Sequence, residues 1–180
     1  MLMKADGSCL LVVDVQARLA PVVADAEQVV DNTAILMKSA ARLGVPMLVS
    51  EQYPKGLGAT VDDLARLAPN DAVVEKADFS CLGEAEFARR FDALGRPQAI
   101  VAGMEAHVCV LQTAMNLVER GNEVYVVSDA VSSRDRANAE AALDRLRAVG
   151  AEVVTTEMVV FEWLAKAGTP EFKELSALIK

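Results

Sequence analysis

Three residues of this 180-residue chain could together supply a nucleophile, a base and a cation: Cys109, Asp14 and Lys76. Asp14 closes the apolar run Ser8 to Val13, Lys76 follows the run Ala72 to Glu75, and Cys109 comes a few residues after Gln98 to Ala102 and Gly103. Alone, each has an ordinary explanation: a loop-capping carboxylate, a solvated lysine, a buried apolar thiol. Together they are an acid-base group, an ammonium and a thiol emerging at one edge of a sheet. A thiol in the first turn of a helix is biased toward thiolate by unpaired N–H groups and the positive end of the dipole, and a nearby ammonium adds to the bias. The same turn offers N–H donors for a developing oxyanion. The chemistry indicated is nucleophilic attack on a carbonyl.

The elements must bring these distant residues together. Apolar runs bounded by turn signals alternate with amphipathic stretches, the pattern of β-α-β units building a parallel sheet. Six strands are predicted: Ser8 to Val13, Met47 to Ser50, Ala72 to Glu75, Gln98 to Ala102, Glu123 to Val127 and Glu152 to Thr155. The first is uniformly apolar, which suits a sheet covered on both faces. Helices are predicted over Asp25 to Leu43, stopped by Gly44, over about Val108 to Arg120, stopped by Gly121, and over Arg136 to Val149. The tail carries Glu157 to Lys166 and a last helix opened by Thr169-Pro170 and running to Ile179, while Thr60 and Asp63 have the spacing of a capping box for a short helix. With no repeat, low-complexity tract or linker, residues 1–180 read as a single α/β domain. Ligands of such sheets sit beyond the carboxyl ends of the strands, where strand order reverses. That is where the three residues fall.

Composition narrows the partners. At 53% hydrophobic and 24% charged, the chain is too apolar for disorder. Its 18 Lys and Arg against 26 Asp and Glu give a net charge of −8, which argues against nucleic acid. The N-terminus is not a signal peptide, and the longest uncharged stretch, Ala106 to Val118, is too short for a membrane span. A cytoplasmic protein with no membrane partner is expected. Cys9, Cys81 and Cys109 form no Cys-x-x-Cys pair, so neither a disulfide framework nor a zinc site is encoded.

Val12-Val13-Asp14-Val15-Gln16, Glu75-Lys76-Ala77-Asp78-Phe79-Ser80 and Gly103-Met104-Glu105-Ala106-His107-Val108-Cys109-Val110 resemble the three landmarks of the isochorismatase-like cysteine hydrolases. With Ser128-Asp129-Ala130 the likeness covers about residues 8 to 157. The resemblance implies a doubly wound six-stranded parallel sheet in the order 3-2-1-4-5-6, with helices on both faces. It implies Cys109 as nucleophile, Asp14 as general base and acid, and Lys76 as the group that holds the thiolate form. It also implies a cis peptide between Met104 and Glu105 and an oxyanion hole from the N–H groups of Glu105 and Cys109. Nicotinamidases of the family hold a metal with an Asp and two His after the second strand. Here that segment reads Glu51-Gln52-Tyr53-Pro54 and the chain has one His, so no metal and no cofactor are expected.

True isochorismatases cleave a vinyl ether without a cysteine nucleophile. Cys109 therefore turns the expectation toward a small amide, ureido or imide carbon-nitrogen bond, cleaved through a thioester. Vinyl-ether hydrolysis, a thiol-redox role involving Cys81 and a catalytically silent member remain as alternatives. Gln16, Tyr53, Phe79, Cys81 and His107 are candidate pocket residues, His107 also reading as a residue that orients its loop. Arg134 and Arg136 could meet a carboxylate, a neighbouring subunit or surface partners. Phe161, Trp163, Leu164, Phe172, Leu175 and Leu178 carry more apolar surface than one sheet face needs, so a homo-oligomer, dimer or larger, is expected to act on a small-molecule substrate.

Overall fold

Alternation along the first strand decides how the sheet is covered. Every residue of β1 (Ser8–Val13) is buried. Leu10 and Val12 pack into one core, and Cys9, Leu11 and Val13 into the other. In the computed structural model, which describes residues 1–179, β1 pairs in parallel with β2 (Met47–Gln52) on one side and β4 (Gln98–Met104) on the other. β3 (Val73–Lys76) flanks β2, while β5 (Glu123–Ser132) and β6 (Glu152–Val154) lie beyond β4. The sheet is thus a single six-stranded one in the order 3-2-1-4-5-6, as the resemblance implied. Strand order reverses between β1 and β4.

Helices cover both faces. α1 (Ala26–Leu43) sets Leu36, Met37 and Ala40 on the first core beside Val159 and Trp163 of α7 (Thr156–Leu164). On the opposite face lie α4 (Ala85–Leu94) with Phe87 and Phe91, α5 (Leu111–Glu119) with Ala114 and Leu117, and α6 (Arg136–Ala148) with Ala142 and Leu146. Two short helices, α2 (Pro54–Leu57) and α3 (Asp62–Ala65), lie in the β2–β3 connection. α8 (Pro170–Leu175) closes the tail, its first turn capped by Thr169, which accepts from the Phe172 N–H ahead of Pro170 at the first helical position. Among the described residues no helix is long and apolar enough to cross a membrane.

Several elements differ from expectation for identifiable reasons. β2, β4 and β5 run on to Gln52, Met104 and Ser132 because residues past the apolar runs still pair in the ladder, Gln52 opposite Lys76, Gly103 opposite Val131 and Met104 opposite Ser132. α4 escaped sequence reading because only Phe87 and Phe91, one turn apart, are buried in an otherwise polar segment. Thr60 is not a cap. Its N–H and hydroxyl both donate to the Glu51 carboxylate at 2.7 Å, and α3 begins after Val61 without a side-chain cap.

The tail also consumes much of its own apolar surface. Trp163 is buried and donates its indole N–H to Ser8 Oγ at 3.0 Å. Leu164 and Leu175 form a separate cluster with Val160, against which Ile35, Leu43, Phe172 and Leu178 pack. The surplus assigned to a subunit interface is therefore largely covered within the chain, and Phe161 remains exposed.

Candidate active site

The carboxyl ends of β1, β3 and β4 deliver the three chemical residues. At the end of β4, Gly103 has φ +131°, and a Cβ there would meet the Val13 carbonyl oxygen at 2.0 Å. Only glycine permits this approach. The two central strands are thereby drawn together just before Asp14, which takes a left-handed conformation at φ +53° and donates its N–H to the Ser50 carbonyl at 3.1 Å. The Met104–Glu105 peptide is cis, and the chain then enters a π-helical turn, Ala106–Val110, that leads into α5 and carries Cys109.

Lys76 Nζ donates to Asp14 Oδ2 at 2.8 Å, and neither side chain has exposed surface. The ammonium is further held by Gln52 Oε1 at 2.6 Å and by the Phe79 and Asp78 carbonyls at 3.1 and 3.2 Å. Asp14 Oδ1 accepts from Ser50 Oγ at 2.7 Å. Cys109 shares with Asp14 the wall of a cavity of about 310 Å³ and opens onto it. Its polar wall comprises Asp14, Arg18, Gln52, Glu105, Cys109 and Arg134, and its apolar wall Leu19, Val22, Leu57, Phe79 and Val108.

Charge at the thiol runs against the sequence expectation. Burial, and then the Asp14 carboxylate, push the Cys109 thiol well above its ordinary value, with Lys76 pulling the other way. The ammonium lies 2.8 Å from Asp14, so its charge is largely matched there and cannot hold a resting thiolate. Burial works to lower the Lys76 pKa, yet the neighbouring Asp14 carboxylate and sulfurs outweigh it and the net shift is upward. The site is an ion pair beside a thiol whose ionisation burial and the carboxylate both oppose.

Of the five candidate pocket residues, Phe79 lines the cavity. Gln16 is buried and braces the loop instead, donating to the Gly58 and Gln52 carbonyls and accepting from the Gln52 N–H. Tyr53 is exposed and precedes α2. Cys81 is fully buried and donates to Ser50 Oγ at 3.3 Å. Burial pushes its thiol up to about 11. His107 Nδ1 is 2.8 Å from Ser133 Oγ, tying the π-turn to the end of β5. Arg134 pairs with Glu105 at 2.9 Å, while Arg136 pairs with Asp25 away from the cavity.

Sequence reading passed over Ser50 and Gln52 as site residues. Both sit at the carboxyl end of β2, and that rule applied to every strand would have found them. Arg18 carries no comparable signal. Among the described residues no group of three or more His, Cys, Asp or Glu side chains is arranged to hold a metal, and the Glu51 carboxylate is engaged by Thr60.

Comparison with known proteins gives the geometry its family. The model of the isochorismatase domain matches residues 8–158. Isochorismatase domain-containing protein 2 of Danio rerio is 39% identical over 176 residues, 96% of this chain and 87% of that protein. Among solved structures, the MAR1 ribonuclease of Caenorhabditis elegans superposes with a TM-score of 0.93 at 34% identity, covering 99% of this chain and 92% of that one. The ycaC gene product of Escherichia coli, an octameric hydrolase of unknown specificity, gives 0.93 at 24% identity, with 99% and 90% covered, and supports the fold. With a family model spanning most of its length and a relative 39% identical over most of both chains, this chain belongs to the isochorismatase family of hydrolases.

Proposed function

We propose that the protein is a cysteine hydrolase that cleaves a small amide, ureido or imide carbon-nitrogen bond through a thioester, needing no metal for the step. The observation that carries this reading is the buried Asp14–Lys76 pair, whose Asp14 lies on the wall of the same small cavity that the Cys109 thiol faces. Asp14 takes the Cys109 proton as Sγ bonds to the carbonyl carbon. The backbone N–H groups of Glu105 and Cys109 hold the oxyanion. When the carbon-nitrogen bond breaks, Asp14 returns the proton to the departing nitrogen and an acyl thioester remains. Water then gives a proton to Asp14, its oxygen attacks the thioester, and the Cys109 sulfur leaves and recovers that proton. Lys76 stays an ammonium throughout and keeps the Asp14 carboxylate in place.

A small substrate suits a 310 Å³ cavity in a chain of net charge −8 better than the RNA implied by the nematode neighbour's name. Three free, buried cysteines fit a reducing compartment, the cytoplasm. Exposed Val22, Tyr53, Phe79 and Phe161 fit a homo-oligomer, which light scattering at micromolar concentration should report as a mass at least twice 19.2 kDa. The chemistry is tested by screening amides, ureas and imides for ammonia or amine release, with acid quench and peptide mapping of the acyl group. Acylation of Cys109, and loss of turnover in Cys109→Ala, is expected. Turnover that survives Cys109→Ala overturns the mechanism.

A further inference from the structure

Lys76 accounts for one oxygen of the Asp14 carboxylate. The other has a less obvious partner. Ser50 is fully buried near the end of β2, next to buried Val49 and Leu48, where an unbonded hydroxyl would be costly. Its Oγ donates to Asp14 Oδ1 at 2.7 Å and accepts from Cys81 Sγ at 3.3 Å. Cys81 is in turn fixed by its N–H, which donates to Thr113 Oγ1 at 2.9 Å. With the Cys81 proton on its oxygen, Ser50 has its own proton to give, and Asp14 is its acceptor. The donors therefore all point toward the carboxylate. Ser50, Cys81 and Thr113 have no exposed surface and none lines the cavity, so no substrate reaches them.

We propose that Ser50 is a positioning residue for Asp14: its hydroxyl fixes the carboxylate plane and stabilises the charged form that accepts the thiol proton. This rests on Asp14 being the base. The titratable groups facing Asp14 are Lys76 from β3, Cys109 from the π-turn and Cys81 from the short 3-10 turn Cys81–Gly83. Arg18, Glu105 and Arg134 share the cavity wall. Lys76 is an ammonium across the acid range and the thiols are protonated there, while Glu105, the other carboxylate on the wall, is paired with Arg134 at 2.9 Å, so Asp14 is told apart by its own carbon-13 signal.

The test is the pH dependence of the initial release of p-nitrophenol from p-nitrophenyl acetate, an acyl donor that needs no knowledge of the natural substrate. The same midpoint is read without turnover from the Asp14 carboxyl carbon-13 shift, assigned by its loss in Asp14→Asn. Without the donor, the Ser50→Ala carboxylate holds its proton more tightly, so both midpoints should rise by about one pH unit. Ser50→Thr, which keeps a hydroxyl, should restore them. Cys81→Ala leaves the Ser50–Asp14 bond in place, and should lower the melting temperature without moving either midpoint. Wild-type midpoints in Ser50→Ala, or an equal shift in Cys81→Ala, overturn the proposal. Steady-state p-nitrophenol release past the first equivalent, where water must be activated to clear the acyl group, that is undiminished in Asp14→Asn instead removes the reading of Asp14 as the base, whatever Ser50→Ala does.

Discussion

The carboxylate that opposes ionisation of the Cys109 thiol is, on the proposed mechanism, also the group that deprotonates it. Burial and Asp14 both favour the protonated sulfur, while the Lys76 charge is matched by Asp14 at 2.8 Å. Opposite consequences follow for the two partners. In Asp14→Asn the negative neighbour is gone and Lys76 is left to favour thiolate, so the midpoint for alkylation by iodoacetamide should fall by at least about one unit, speeding labelling near neutrality about tenfold, while hydrolysis is lost. In Lys76→Met the midpoint should rise and labelling slow, with a stability loss of about 3 kcal/mol or more from the buried, unpaired carboxylate. Peptide mapping separates Cys109 from Cys9 and Cys81, which have no exposed surface. Slower labelling of Cys109 in Asp14→Asn would show that the carboxylate does not raise the thiol.

Gly103 and the strand ends set the geometry that those side chains inherit. A Cβ at residue 103 would lie 2.0 Å from the Val13 carbonyl, a backbone atom that can yield only by parting β1 from β4. Gly103→Ala should therefore destabilise the protein by about 3 kcal/mol, seen as a melting temperature lower by about 10 °C. Its activity should fall further than its stability, because Asp14 follows Val13 directly. A soluble, active Gly103→Ala variant with wild-type melting would refute this. The sheet was legible in the sequence because its strands are short apolar runs, and Asp14 and Lys76 mark where two of those runs stop. What lies past the runs was not. Gln52 and Ser132 continue the ladder as polar residues, Thr60 serves Glu51 rather than a helix terminus, and α4 shows only two buried phenylalanines. The direction of the charge effect on Cys109 was also hidden, since the sequence does not show that Lys76 is already paired with Asp14.

Across the whole molecule the three cysteines share one physical property: burial raises each thiol, to about 12 for Cys9, to about 11 for Cys81, and well above the ordinary value for Cys109. A group whose pKa is raised by folding contributes stability fully below its unfolded value and loses it as pH rises. Unfolded cysteines ionise near their ordinary value of 9.0, so the contribution of these thiols to stability should be level below about pH 8 and decline from about pH 9 upward. Urea titrations across that range check this. Cys9→Ala should flatten the decline, and an unchanged alkaline slope in that variant would exclude Cys9 as a source. Of the three candidate active-site residues, only Cys109 keeps any surface, 6%, whereas the Asp14 and Lys76 side chains have none. On the proposed chemistry, the departing amine and the incoming water must therefore pass over the same sulfur. They take turns there, so the kinetics are ping-pong, and an amine that lingers competes with water for the acyl group, making the hydrolase an acyltransferase wherever amines are concentrated.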